Sequence, residues 1–281
     1  MRVVNRPAEM ASLGRRWRVN GEAVGLVPTM GALHEGHASL IRRARRECRR
    51  VVVSIFVNPK QFGPGEDFAR YPRTFEADRK LCLAEGADVI YHPDPEQMYP
   101  EGFSTFVEVG ALSEPLDGLF RPGHFRGVAT VVLKLLNAVS PTSAYFGEKD
   151  YQQLAVIRRM ALDLNLPVAI EGCPTVRESD GLARSSRNIY LSAEERRAAP
   201  ALYEALTLAA RLAREGRKPK ALLTHAVKHL LKALPEAKID YFELVDADTL
   251  RVADQCEGRL RLLAAVRLGR TRLIDNIPVS L

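Results

Sequence analysis

A chain of 281 residues with 46% apolar and 27% charged residues has the make-up of an ordinary globular protein of one large or two modest domains. Four scattered cysteines (Cys48, Cys82, Cys173, Cys256) form no Cys-x-x-Cys pair, which argues against a disulfide framework or zinc knuckle and fits a reducing cytoplasm. The net charge of +7 suits anionic ligands, but its densest cluster, Arg42 to Arg50, has apolar residues at helical spacing and reads as a solvated helix face rather than a nucleic-acid site.

At the N-terminus, Asn5, Arg6, Pro7 and Glu9 interrupt any apolar core a secretory leader would need, and the apolar run Val51 to Val57 is too short to span a bilayer. Val24 to Val27 reads as a strand, Gly36 to Glu47 as a helix and Val51 to Val57, apolar but for Ser54, as a buried strand. A helix over Thr74 to Glu85 and a short strand, Asp88 to Tyr91, follow; then comes an irregular stretch rich in Pro and Gly. A helix near Val128 to Val139, a strand near Ala144 to Phe146, a helix over Tyr151 to Leu164 and a strand around Val168 to Ile170 complete this part. Strands without alternation, separated by helices, predict a Rossmann-like α/β domain with a doubly wound parallel sheet, here residues 1–175.

The pattern changes after Thr175. Ser192 and Glu195 make a capping box that opens a long helix carrying Leu202, Leu206, Ala209 and Ala213. Gly216 ends it, and Pro219 starts a second helix running to Leu234. Ile239 to Val245, Leu260 to Val266 and Thr271 to Ile277 read as strands, the last two joined as a hairpin at Leu268-Gly269-Arg270. Residues 176–281 are therefore expected to form a smaller α+β domain with an antiparallel sheet.

The most informative stretch is Val27-Pro28-Thr29-Met30-Gly31-Ala32-Leu33-His34-Glu35-Gly36-His37. It joins a strand to a helix N-terminus, where unpaired amides and the helix dipole favour anions, and it delivers two histidines able to donate to phosphate oxygens. Zinc is a weaker reading, because zinc-protease helices space their histidines four apart and no third ligand follows. Taken alone, the segment leaves a nucleotide site, a zinc site and no site open.

Three further segments could carry chemistry. Asn58 to Asp67 follows the apolar strand, and Asn58 and Gln61 offer amides suited to a small polar substrate, although Asn, Pro and Gly make plain turns as well. Tyr145 to Gln153 ends another strand, with Gly147 for close backbone approach, Lys149 for phosphate and Gln153 one helical turn further on. Val176-Arg177 and Gly181 to Asn188 lie where the two halves join and supply hydroxyls and guanidinium groups.

Together, Pro28 to His37, Asn58 to Asp67, Gly123-His124-Phe125-Arg126-Gly127-Val128, Phe146 to Gln153 and Ser185-Ser186-Arg187-Asn188 closely resemble the pantoate–β-alanine ligase family. That family belongs to the His-x-Gly-His nucleotidylyltransferase group. The resemblance runs nearly end to end and in the family's order. It implies an ATP-dependent condensation of (R)-pantoate with β-alanine through a pantoyl adenylate, giving pantothenate, AMP and diphosphate.

Carried over residue by residue, the resemblance implies ATP binding by Met30, Gly31, Ala32, Leu33, His34, Glu35, Gly36 and His37, by Gly147, Glu148, Lys149 and Asp150, and by Val176, Arg184, Ser185, Ser186 and Arg187. His34, His37 and Lys149 would be catalytic, with His37 as proton donor. Gln61 would bind pantoate and β-alanine, Gln153 pantoate, and Asn58 would belong with them. Magnesium on the ATP phosphates is implied, with Asp78 as a candidate ligand; no zinc, organic prosthetic group, nucleic-acid partner or membrane partner is expected. The resemblance also implies a homodimer; the cysteine usage points to the cytoplasm, and the water sensitivity of an adenylate leads us to expect a C-terminal domain acting as a lid. One position departs from the family: Arg184 stands where an apolar Leu or Met is usual, and its guanidinium could stack on the adenine or reach a phosphate. A sibling adenylating ligase with another acid substrate, a nucleic-acid-binding protein and a noncatalytic nucleotide sensor are the competing readings.

Overall fold

Val51, Val52 and Val53 are stable as neighbours only if both faces of their strand are covered. In the computed structural model, which describes residues 1–281, all three are fully buried within a six-stranded parallel sheet. The chain divides into two compact units: Met1–Glu148 with Gln152–Pro174, and Lys149–Tyr151 with Thr175–Leu281.

The first unit opens with β1 (Arg2–Val4), α1 (Pro7–Val19), β2 (Val24–Thr29), α2 (Glu35–Glu47) and β3 (Arg50–Ile55). It continues with α3 (Phe75–Ala84), β4 (Val89–Tyr91), the single turns α4 (Pro95–Met98) and α5 (Asp117–Phe120), and α6 (His124–Val139). Its last elements are β5 (Ser143–Gly147), α7 (Tyr151–Asp163) and β6 (Ala169–Cys173). The strand order is β1-β4-β3-β2-β5-β6, all parallel, with β2 and β3 paired from Val24–Arg50 to Thr29–Ile55. From β2 the chain builds outward through β3 and β4, then returns to the other side of β2 for β5 and β6. The carboxyl ends of β2, β3 and β5 thus flank a topological switch point, the usual place for a ligand in such a sheet.

Alternate strand residues feed two cores. Leu26 and Val52 pack with residues of α1, α6 and α7, whereas Val27, Val51 and Val53 pack with Leu40 and Ile41 of α2 and Cys82 of α3. The expected doubly wound sheet is therefore present, and so is the smaller α+β unit.

Two elements at the N-terminus were not expected from the sequence. β1 is three residues long and gains its place only by pairing with β4. α1 starts at Pro7 and buries Met10, Leu13, Gly14 and Trp17, a helical spacing that was there to be read.

The second unit contains α8 (Ala193–Ala198), α9 (Ala201–Arg214), α10 (Pro219–Ala233) and the antiparallel sheet of β7 (Lys238–Asp246), β8 (Leu260–Leu268) and β9 (Thr271–Val279). The single long helix expected after Ser192 is two helices. The Ser192–Glu195 capping box opens α8, and the chain breaks before α9 because Pro200 has no N–H to continue the ladder. Leu202, Leu206, Ala209 and Ala213 of α9 pack with Leu244, Leu262 and Ala264 of the sheet. β8 and β9 close through Gly269 and Arg270, with Leu268 opposite Thr271, as the hairpin reading predicts. No helix is long and apolar enough to cross a membrane.

Candidate active site

After β2 the backbone turns through Gly31 (φ +83°) and Ala32 (φ +50°). The left-handed conformation at Ala32 costs roughly 1–2 kcal/mol and needs support from its surroundings. Asp78, buried on α3, supplies it: Oδ2 accepts from the Ala32 amide at 3.0 Å and Oδ1 from the Leu33 amide at 2.8 Å. Thr74 Oγ1 donates to the same Oδ1 at 3.1 Å. The Thr29 hydroxyl steadies the loop entrance, donating to Ser54 O and accepting from Gly31 N.

The loop delivers His34 as the N-cap of α2. Its Nδ1 accepts from Gly36 N at 3.1 Å, while His37 Nδ1 faces the His34 amide at 3.3 Å, a capping box built from two imidazoles. Since each Nδ1 accepts, the proton of each neutral ring resides on Nε2. The rings lie 4.2 Å apart between centroids. Gly36 is needed because a Cβ there would lie 2.9 Å from His34 Cε1. Glu35 is exposed and pairs with Arg42 at 2.5 Å. Met30 is half-buried and accepts from Gln61 Nε2 through its sulfur at 3.2 Å.

Beyond β3, residues 59–61 form one 3-10 turn capped by Asn58. Asn58 is buried, and its amide is consumed within the protein. Nδ2 donates to Gln61 Oε1 at 2.9 Å and Gly127 O at 3.1 Å; Oδ1 accepts from Tyr99 Oη at 2.7 Å and Lys60 N at 3.3 Å. Burial pushes the Tyr99 phenol well up, which keeps it a donor. Asn58 is thus engaged in orienting Gln61. Gln153 sits half-buried on the first turn of α7, after Gln152, which is spent on Leu112 O, Pro115 O and Asp117 N. A Cβ at Gly147 would meet no protein atom within 4 Å, so packing does not require glycine there.

In the second unit, Lys149 Nζ lies 3.7 Å from Asp150 Oδ2, and Asn276 Nδ2 donates to Lys149 O at 2.8 Å. Arg261 donates to Asn276 Oδ1 at 2.6 Å and stacks 3.8 Å from the Tyr151 ring centre. Val176 O accepts from Arg184 N, and the Arg184 guanidinium pairs with Glu178 at 2.9 Å. Ser185 caps a short 3-10 helix, Ser186–Tyr190, by accepting from Arg187 N. Tyr99 and Asn276 are supporting residues that the sequence did not single out, and His124 stood in a quoted motif without a role, because their partners are remote in the chain. No group of three or more His, Cys, Asp or Glu side chains is arranged to hold a metal ion.

The family model for pantoate–β-alanine ligase matches residues 2–278. The chain belongs to the pantoate–β-alanine ligase family. A pantothenate synthetase from Oleidesulfovibrio alaskensis is 54% identical over 280 residues, covering 99% of this chain and all of that one. The crystal structure of the pantothenate synthetase from Thermus thermophilus superposes with a TM-score of 0.95 at 50% identity over the full length of both chains. That of the pantoate–β-alanine ligase from Francisella tularensis, described as complexed with β,γ-ATP and β-alanine, gives 0.83 at 34% identity, covering 99% and 97%. The chain accordingly has its family's fold and activity, the joining of pantoate to β-alanine.

Proposed function

We propose that the reaction runs through an acyl adenylate formed at the loop between β2 and α2. A pantoate carboxylate oxygen attacks the α-phosphorus of ATP, the bond to pyrophosphate breaks, and the β-alanine amine then displaces AMP from the acyl carbon. Adenylation is needed because a carboxylate is a poor electrophile with no good leaving group. The observation that carries this reading is the tautomer of the histidine pair: with both Nδ1 atoms accepting backbone amides, both Nε2–H groups are donors. Negative charge building on phosphate oxygens in the transition state is what such donors stabilise.

His34 and His37 serve the ATP phosphates in this reading, each through its Nε2–H, with His37 donating a hydrogen bond to the leaving pyrophosphate. Lys149 adds positive charge, and Gly147, Glu148, Asp150, Val176 and Arg184 to Arg187 complete the nucleotide contacts. Support for Gly147 comes from the open space beside its Cα. Gln61 and Gln153 take pantoate, and Gln61 also takes β-alanine. Asn58 contributes by holding the Gln61 amide in one orientation. Magnesium enters with the ATP phosphates as part of the substrate; the engagement of Asp78 by the loop amides favours a supporting role for it over a metal-ligand role. Arg184, held by Glu178, reads as an electrostatic edge to the nucleotide contacts rather than an adenine platform. A homodimer in the cytoplasm completes the reading.

The deciding experiment is ATP–pyrophosphate exchange without β-alanine. Exchange that depends on pantoate supports the adenylate. Product formation with all three substrates but no exchange would point to a concerted route instead.

A further inference from the structure

The 59–61 turn does little to hold itself in place. Its own backbone bonds are long, Gln61 N to Asn58 O at 3.4 Å and Phe62 N to Pro59 O at 3.5 Å. What fixes it comes from α6. His124, the first residue of that helix, is buried, and its Nδ1 lies 2.8 Å from Gln61 O. One turn later, Gly127 packs so closely that a Cβ there would be 2.2 Å from Lys60 O and 2.7 Å from Gln61 Cα.

The protonation of His124 follows from its other neighbour. Arg121 Nη1 lies 3.0 Å from His124 Nε2, and a guanidinium can only donate, so Nε2 accepts and the proton sits on Nδ1. Nδ1–H therefore donates to the Gln61 carbonyl. Arg121 is itself fixed by Glu66 through two bonds of 2.8 Å, from Nε to Oε1 and from Nη2 to Oε2. A chain of hydrogen bonds thus runs Glu66–Arg121–His124–Gln61. It ties two points of the loop after β3, Gln61 and Glu66, to the start of α6. Burial and the Arg121 charge push the His124 pKa down to about 4, against the opposing pull of the Gln61 carbonyl, Asp117 and Glu66. The donating tautomer accordingly persists at neutral pH.

We propose that His124 is a positioning residue of the pantoate site: through the Gln61 carbonyl, it helps set where the Gln61 side-chain amide, held by Asn58, meets substrate. This rests on the reading above, in which Gln61 binds pantoate. His124 would touch no substrate and transfer no proton; its effect would be on substrate affinity.

The test uses the full-length enzyme and steady-state KM values for pantoate, ATP and β-alanine, with thermal melting as the folding check. His124→Leu removes the donor and should raise the pantoate KM by about tenfold, with the ATP KM changed by less than about twofold. His124→Asn places an amide N–H near the former Nδ1 and should restore the pantoate KM to within about threefold of the parent. Glu66→Ala, at the half-exposed end of the chain, should raise it by about twofold to fivefold. Gln61→Ala is measured in parallel.

A folded His124→Leu enzyme with an unchanged pantoate KM, beside a Gln61→Ala enzyme that has lost pantoate affinity, would overturn the positioning role alone. An unchanged pantoate KM in Gln61→Ala would overturn the Gln61 assignment and this inference with it. Uniform changes in every KM, or a kcat loss that His124→Asn does not relieve, would reduce His124 to a packing residue and overturn the proposal. If His124→Leu does not fold, Glu66→Ala and His124→Asn decide by the same pantoate KM. A normal value in Glu66→Ala together with no pantoate affinity in His124→Asn would then overturn it.

Discussion

Asp78 and Leu33 stand 45 positions apart in the chain, yet Asp78 Oδ1 lies 2.8 Å from the Leu33 amide nitrogen, and Oδ2 holds the Ala32 amide at 3.0 Å. The carboxylate therefore defines the shape of the loop before the histidine pair. Hydrogen bonds to a charged acceptor are worth about 1.5–3 kcal/mol each. Asp78→Ala should cost about 3 kcal/mol of stability and raise the ATP KM strongly. The defect should be the same at low and high magnesium. A defect relieved by excess magnesium would instead mark Asp78 as a metal ligand.

His37→Ala and Lys149→Ala should each lower turnover at least about a hundredfold, the usual effect of deleting a donor of about 2.7–4 kcal/mol at a developing charge. His37→Ala should also melt slightly earlier, since it removes the acceptor for the His34 amide at the start of α2. Single-turnover adenylate formation and thermal melting separate the two effects. Turnover near that of the parent in either variant would remove that residue from the catalytic set.

Two glycines should respond in opposite ways. Gly127→Ala drives a methyl into the Lys60 carbonyl and should destabilise the fold by about 1–3 kcal/mol or more. Gly147→Ala meets no protein atom within 4 Å and should melt like the parent while losing ATP affinity. Melting curves and ATP KM values for the pair distinguish a glycine kept for packing from one kept for a ligand.

Acid sensitivity should bear the mark of His124. Its folded-state pKa of about 4 lies below the ordinary 6.5. Between those values the unfolded chain binds a proton that the folded chain does not, so stability falls as pH drops through this window and is unaffected above it. The full loss is on the order of 3 kcal/mol. Arg121, Glu66 and Asp117 are the charged groups that act on the imidazole, and the Phe125 ring lies against it. Melting temperatures at about pH 7.5 and about pH 5 should drop less in His124→Asn than in the parent. Equal drops would refute the assignment.

Within the second unit, Arg177 makes a two-pronged pair with buried Asp275, at 2.6 and 2.9 Å, and its guanidinium sits 3.9 Å from the Tyr203 ring centre. Asp275→Ala would strand the Arg177 charge and should cost about 3–5 kcal/mol. The check is chemical denaturation of the variant, with Asp275→Ala and Arg177→Met together expected to recover part of the loss.

Most of the fold was legible because burial leaves a local mark. Val51, Val52 and Val53 announce a strand covered on both faces, and Leu268-Gly269-Arg270 a tight hairpin. β1 was not legible, since Arg2, Val3 and Val4 become a strand only through pairing with Val89, Ile90 and Tyr91. Pro200 was visible, but the apolar stripe of α9 outweighed it in the reading of one long helix. The candidate site divides the same way. His34, His37 and Gln61 sit in recognisable local motifs. The work of Asp78 on Leu33 and of His124 on Gln61 depends on pairings 45 and 63 positions apart, which no local spacing encodes.

The three residues Lys149–Tyr151 group with the second unit although the sequence on both sides of them groups with the first. Tyr151 donates its hydroxyl to Ala247 O at 2.9 Å, and Lys149 O accepts from Asn276. The two units are consequently not separable modules in the genetic sense. A fragment starting at Thr175 would lose the Lys149 contact to Asn276 and the Tyr151 contact to Ala247, so recombination or gene splitting at that junction would divide one folding unit rather than join two.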